Sequence, residues 1–297
     1  MAMNYHRLKD RVKGIIPLSV KKVRRRLFPN LANPDSKLGL QFLSYAREFS
    51  KHIGGKPEAF ERSLDRLIKT GNFECNDVYL DLLDAFLPGY EGDLYRYYTY
   101  QQFLILFRFL QYPFLNPGMA EYTIPYQRGI SALEQLDVVD YGSGIPYGLI
   151  ECLATKAKSI RSATLIDLDL IHVDFVEFVI GRIAPGFHLT LHRLRDPEEF
   201  PSLTGPYNFF FGKDIFEHLH RPDEKLRQLM QYSAKTSFCY FDFNDKGTVI
   251  YQHVTPGIGY LTQIMNELGF ETRSNIHNLL EFAKSPQELI SKSRIVS

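Results

Sequence analysis

Between residues 131 and 297 the chain alternates short apolar runs with helical stretches, and this alternation constrains the fold more than any other feature. The spacing predicts strands over Leu136–Asp140, Ala163–Asp167, His188–His192, Tyr207–Phe211 and Thr236–Phe241. It predicts helices over Tyr147–Ala157, Ile171–Ile183 and Pro222–Tyr232 between them. Strands separated by single helices pair in parallel, with helices on both faces of the sheet. Residues 1–130 read differently. Phe60, Leu64, Leu67 and Ile68 share one helical face, and Asp77 opens an apolar-periodic run through Tyr79, Leu82, Leu83, Phe86 and Leu87. Tyr90 to Phe114 is apolar nearly all round, the pattern of a buried helix, and Pro113, Pro117 and Gly118 close it.

Bulk composition removes several alternatives. At 297 residues with 44% hydrophobic content, the chain has ample material for a core. Cys75, Cys152 and Cys239 are too few and too scattered for a disulfide framework or a zinc set, which fits a reducing compartment. The most apolar run, Phe103–Leu110, is shorter than a bilayer span and carries Arg108. The net charge of +1 hides an asymmetry: residues 1–30 hold nine Lys/Arg against Asp10, a net of +8, which leaves −7 for the rest. Pro17 and Lys21–Lys22 interrupt the apolar stretches of that arm, so it is not read as a secretory signal. An acidic body argues against nucleic-acid partners.

The segment Asp140-Tyr-Gly142-Ser-Gly144-Ile-Pro-Tyr-Gly148 carries the functional reading. It follows the first strand and opens a helix. Gly142 and Gly144 let backbone approach a ligand without a Cβ in the way. The helix behind them offers free N–H groups and partial positive charge. A dinucleotide fingerprint would have its third glycine at 147, where this chain has Tyr147. The second predicted strand ends at Asp167, with Asp169 close behind, and an acid there can accept from both ribose hydroxyls. Asp140, two residues before the first glycine, suits a ligand bearing an ammonium group better than one bearing a pyrophosphate.

In these features the sequence resembles the class I S-adenosylmethionine-dependent methyltransferases. Leu136–Gly148 looks like the family's glycine-rich motif, and Leu165–Asp167 like its ribose-binding acid. Leu194–Asp196 falls where an acid often lies near the adenine amine. The stretch from Asn208 through Gly212 to Glu217-His218 resembles the fourth strand and the Glu-His helix start common in small-molecule members. His253 to Leu261, then Leu268-Gly269-Phe270, resembles the late helix and the Gly-Phe before a last hairpin. Gly148 replaces the closer third glycine of the family pattern, and Pro146 stiffens the loop.

The resemblance implies an α/β fold, a doubly wound Rossmann-like sheet of the class I methyltransferase type with a helical N-terminal cap. It divides the chain into a basic arm (1–30), a helical cap and acceptor-binding region (31–130) and an S-adenosylmethionine-binding domain (131–297). The implied activity is methyl transfer to a small molecule or glycan, at oxygen, by in-line displacement, with S-adenosyl-L-methionine as cofactor. The implied cofactor ligands are Asp140, Tyr141, Gly142, Gly144, Asp167, Asp169, Asp196 and Gly212. An oxygen acceptor usually needs a base, and Glu217, His218 and His253 are the candidates. Asp242, Asn244 and Asp245 could bind a cation, but no matching acids stand elsewhere and no metal is expected. Tyr90, Tyr95, Tyr97, Tyr98 and Tyr100 are a candidate acceptor wall, and Tyr122, Tyr126 and Arg128 a second.

The arm can form a short helix capped by Ser19, with Val20, Val23 and Leu27 on one face among cations. On an anionic membrane each cation would add roughly 1 kcal/mol. The expectation is a cytoplasmic protein with peripheral contact at the inner membrane face through residues 7–28. A solvated tail, or docking onto another subunit of a homo-oligomer, is the alternative. Two rivals to the activity stand: a nicotinamide-dependent oxidoreductase, and a methyltransferase-like fold kept as a silent scaffold.

Overall fold

The computed structural model describes residues 37–70, 81, 85, 118–213, 215–242, 258–276 and 279–284. The basic arm, the tyrosine-rich stretch 90–114, Asn244, Asp245 and His253 lie outside the described residues.

The strands are β1 (Leu136–Tyr141), β2 (Ile160–Leu168), β3 (His188–Leu194), β4 (Tyr207–Gly212), β5 (Ser233–Asp242), β6 (Glu271–Ile276) and β7 (Leu279–Lys284). Among the described residues they form one sheet in the order β3-β2-β1-β4-β5-β7-β6. β1 to β5 are parallel, and β7 runs antiparallel to both β5 and β6. The fold is therefore a doubly wound α/β sheet with a C-terminal antiparallel hairpin, as the sequence led us to expect. The strand order reverses between β1 and β4. Ligands of such sheets bind outside the strand C-termini at that switch point.

The described helices are α1 (Lys37–His52), α2 (Pro57–Thr70), α3 (Gly118–Leu133), α4 (Tyr147–Lys156), α5 (Ile171–Ile183), α6 (Pro222–Met230) and α7 (Ile258–Glu267). Every residue of β1 is buried, as befits a strand covered on both faces. Alternation along β4 divides the core. Phe209 and Phe211 join Tyr126, Tyr147, Leu149, Phe175 and Val179 on the face of α3, α4 and α5. Phe210 joins Leu226, Leu229, Leu261 and Met265 on the face of α6 and α7. α1 rests against α5, with Phe49 5.3 Å from Phe175 between ring centres and Arg182 2.8 Å from Glu48. The described part of the N-terminal half thus packs on the flank of the sheet. No described helix is long and apolar enough to cross a membrane.

Two buried acids of β1 face different fates. Asp137, at the strand's start, accepts from Arg161 Nε at 2.7 Å and Ser162 Oγ at 2.9 Å. Burial pushes its carboxyl up, but Arg161 and Ser162 outweigh this and hold it below the usual range. Asp140, near the strand's far end, has no cation among its described partners.

Candidate functional site

The switch point is built by the turn after β1. Gly142 and Gly144 have φ of 68° and 50°, the left-handed region where a side chain is strained. The Gly142 and Ser143 N–H groups both donate to Ile166 O, at 2.8 and 3.4 Å. The Gly144 N–H donates to Asp167 Oδ2 at 2.5 Å. The loop is thereby hung on the tip of β2. A Cβ on Gly142 would lie 2.8 Å from Ile215 carbons, so space as well as backbone conformation demands glycine there. Gly212, at the end of β4, is nearly as confined, 3.2 Å from Phe241 and 3.3 Å from Tyr141 O by the same construction.

Gly148 has another task. A Cβ there would stand 2.0 Å from the Tyr122 carbonyl oxygen. It permits α3 and α4 to pack backbone to backbone, which accounts for a glycine displaced from the ligand-facing loop.

Asp167 is the best-connected acid of the site. Oδ1 accepts from the Leu168 N–H at 2.7 Å, and Oδ2 from Ser143 Oγ at 3.5 Å as well as from Gly144. His172 Nε2 lies 3.6 Å from Oδ2. Burial pushes the carboxyl up, but His172 and the two backbone donors outweigh it and hold it below the usual range. Asp140 is 2% exposed and accepts from the Tyr126 hydroxyl at 3.2 Å. Burial raises its carboxyl well above the ordinary range, against the Tyr126 hydrogen bond, and the charge of Asp167 adds to the rise. The Tyr126 hydroxyl is raised in turn by burial and by Asp140.

The other residues singled out from the sequence separate. The Tyr141 ring descends into the core, 6.0 Å from Phe200 and 5.9 Å from Phe216, so only its backbone belongs to the loop. Asp169 is exposed and pairs with Arg193 at 3.2 Å, which also holds Asp174 at 2.6 Å and Glu177 at 2.8 Å. Asp196 is exposed after β3 and accepts from the Glu198 N–H at 2.7 Å, an Asx turn. Glu217 and His218 lie on a short 3-10 turn, Phe216–His218, just past β4, with the His218 ring half-buried. Arg128 spans from α3 to the last hairpin, 2.6 Å from Glu281 and 3.1 Å from Ser274, so it ties the fold together. Tyr122 stays at the site: its ring lies 5.4 Å from Lys213 Nζ.

Sequence reasoning missed His172 and Lys213. Lys213 follows Gly212 directly, and its Nζ is 4.0 Å from Asp242 Oδ2 at the end of β5. No group of His, Cys, Asp and Glu among the described residues could hold a metal ion.

Searches against protein-family models and curated proteins returned no match. Solved structures do resemble the chain. One is a SAM-dependent methyltransferase from Aquifex aeolicus, 12% identical, covering 57% of this chain and 92% of that one, with a TM-score of 0.43. Another is N-methyltransferase NodS from Bradyrhizobium japonicum WM9 in complex with S-adenosyl-L-homocysteine, 12% identical over 57% of this chain and 87% of that one, TM-score 0.46. A third is the cyclase SpnF, 11% identical over 50% and 57%, TM-score 0.40.

Proposed function

We propose that the chain is an S-adenosylmethionine-dependent methyltransferase acting on a small molecule or glycan, at oxygen. The observation that carries this reading is the left-handed Gly142–Gly144 turn at the β1/β4 switch point, with Asp167 at its β2 side and buried Asp140 beneath. The donor set suits the cofactor. The Gly142 cradle has no room for a Cβ, Asp167 offers a carboxylate for ribose hydroxyls, and Asp140 offers buried negative charge that a cationic ligand would stabilise. The cofactor supplies an electrophilic sulfonium methyl.

The protein's share is to position the acceptor and exclude water. On the β4 side of the crevice, Lys213, Asp242 and Tyr122 face the acceptor in this reading. His218 takes the proton of an acceptor hydroxyl, with Glu217 and His253 as the remaining candidate bases. Asp196 serves the cofactor only through the turn it holds, and Asp169 through its ion pair with Arg193. The basic arm, residues 7–28, holds the protein at an anionic membrane surface.

Calorimetry with S-adenosylhomocysteine and, separately, NAD tests the cofactor. We expect micromolar binding of the first and none of the second. Binding of NAD alone would establish the oxidoreductase rival, and binding of neither the silent scaffold.

A further inference from the structure

His172 is the second residue of α5 and is 2% exposed. Among the described residues neither of its ring nitrogens has a hydrogen-bond partner, and its neighbours Val173, Phe175 and Val176 are buried apolar residues. A buried imidazole without hydrogen bonds destabilises a fold, and an aliphatic side chain would fill the same space at lower cost. What the position does offer is direction: Nε2 lies 3.6 Å from Asp167 Oδ2, just beyond hydrogen-bond range.

The rest of the Asp167 carboxylate is already held. Gly144 and Ser143 of the loop bear on Oδ2, and the Leu168 N–H bears on Oδ1. Arg193, a nearby cation on β3, is taken up by Asp169, Asp174 and Glu177. The imidazole is thus the group that faces the acid from the helix side, at ion-pair distance.

We propose that His172 is a positioning residue for the cofactor site. Its imidazole holds the Asp167 carboxylate against the Gly142–Gly144 loop, in the orientation that accepts from ribose hydroxyls. The inference rests on the cofactor reading above. It predicts that affinity, not stability, retains a histidine at this place.

The test is calorimetry of the full chain with S-adenosylhomocysteine, with melting temperatures measured beside it. His172→Leu is expected to bind about tenfold more weakly, through loss of the imidazole contact that orients the Asp167 carboxylate. Its melting temperature should equal or exceed the parent's. His172→Gln, which keeps a donor of similar reach, should stay within about threefold of the parent. On an Asp167→Asn background, His172→Leu should cost less than about twofold further, because the two act through one interaction.

An unchanged affinity in His172→Leu overturns the proposal. So does a full tenfold loss that persists on the Asp167→Asn background. A lower melting temperature or failure to fold in His172→Leu, with Gln no better, assigns the residue to packing and also overturns it. If the unmutated chain does not bind S-adenosylhomocysteine, the cofactor reading itself fails and the inference falls with it.

Discussion

Replacing Gly142 by alanine strikes the site at its tightest point. The residue has φ of 68°, and holding a non-glycine residue there costs about 1–2 kcal/mol. The new Cβ would also lie 2.8 Å from three carbons of Ile215, and overpacking of this kind costs about 1–3 kcal/mol. The two together come to about 2–5 kcal/mol, a large part of the typical 5–15 kcal/mol stability of a domain. The loop can relieve part of the strain by shifting. A shift draws the Gly144 N–H away from Asp167 Oδ2, where it now donates at 2.5 Å, and converts lost stability into lost affinity. Urea denaturation and calorimetry with S-adenosylhomocysteine measure both portions. Gly181→Ala is the control, because nothing lies within 4 Å of a Cβ there and α5 gains a better helix former, worth up to about 1 kcal/mol. If Gly142→Ala left stability within about 0.5 kcal/mol and affinity within about twofold, the reasoning about this turn would be refuted.

Asp140→Asn tests the buried acid. Burial raises the folded-state pKa of Asp140, so its contribution to stability is complete below the unfolded value of about 3.9 and is lost as pH climbs through the folded value. The neutral Asn variant escapes that loss; it should overtake the parent in denaturant melts between pH 5 and pH 8, while binding S-adenosylhomocysteine more weakly. A parent that gains on the variant as pH rises would show the charged form to be stabilised instead. Gly148→Ala should cost more than about 2 kcal/mol, since the intruding atom meets Tyr122 backbone rather than a movable side chain, and an unchanged urea midpoint would contradict the packing role. Deleting residues 1–28 should leave cofactor binding intact and reduce sedimentation with anionic vesicles; equal sedimentation of both chains would reject the membrane arm.

The sheet domain was largely readable because its central strands, β1 and β4, are buried on both faces and announce themselves as apolar runs. α5 begins and ends where its periodicity predicts, at Ile171 and Ile183. Errors fall where polar residues extend an element. β2 starts at Ile160 rather than Ala163, because Arg161 and Ser162 are kept in the strand by their bonds to Asp137. β5 likewise begins at Ser233, ahead of its apolar part. α3 was not visible as a separate helix: Pro125 sits inside it and reads as a breaker, yet packing of Tyr126 against Phe209 and Phe211 holds it.

In the candidate site, the turn at Gly142 and Gly144 and the place of Asp167 at a strand tip were legible because both features are local. The ion pair of Asp169 with Arg193 was not, since only the fold brings the two together. Tyr126 on Asp140, and His172 beside Asp167, are contacts between different elements, and no spacing along the chain encodes them.

A crystal structure of the chain grown with S-adenosylhomocysteine tests the central claim most directly. The account predicts the adenosyl group beyond the ends of β1 and β4, its ribose hydroxyls on Asp167 and its amino-acid end over the Gly142–Gly144 turn. Density for the ligand at any other place, or a crevice filled by the protein's own side chains, would contradict it.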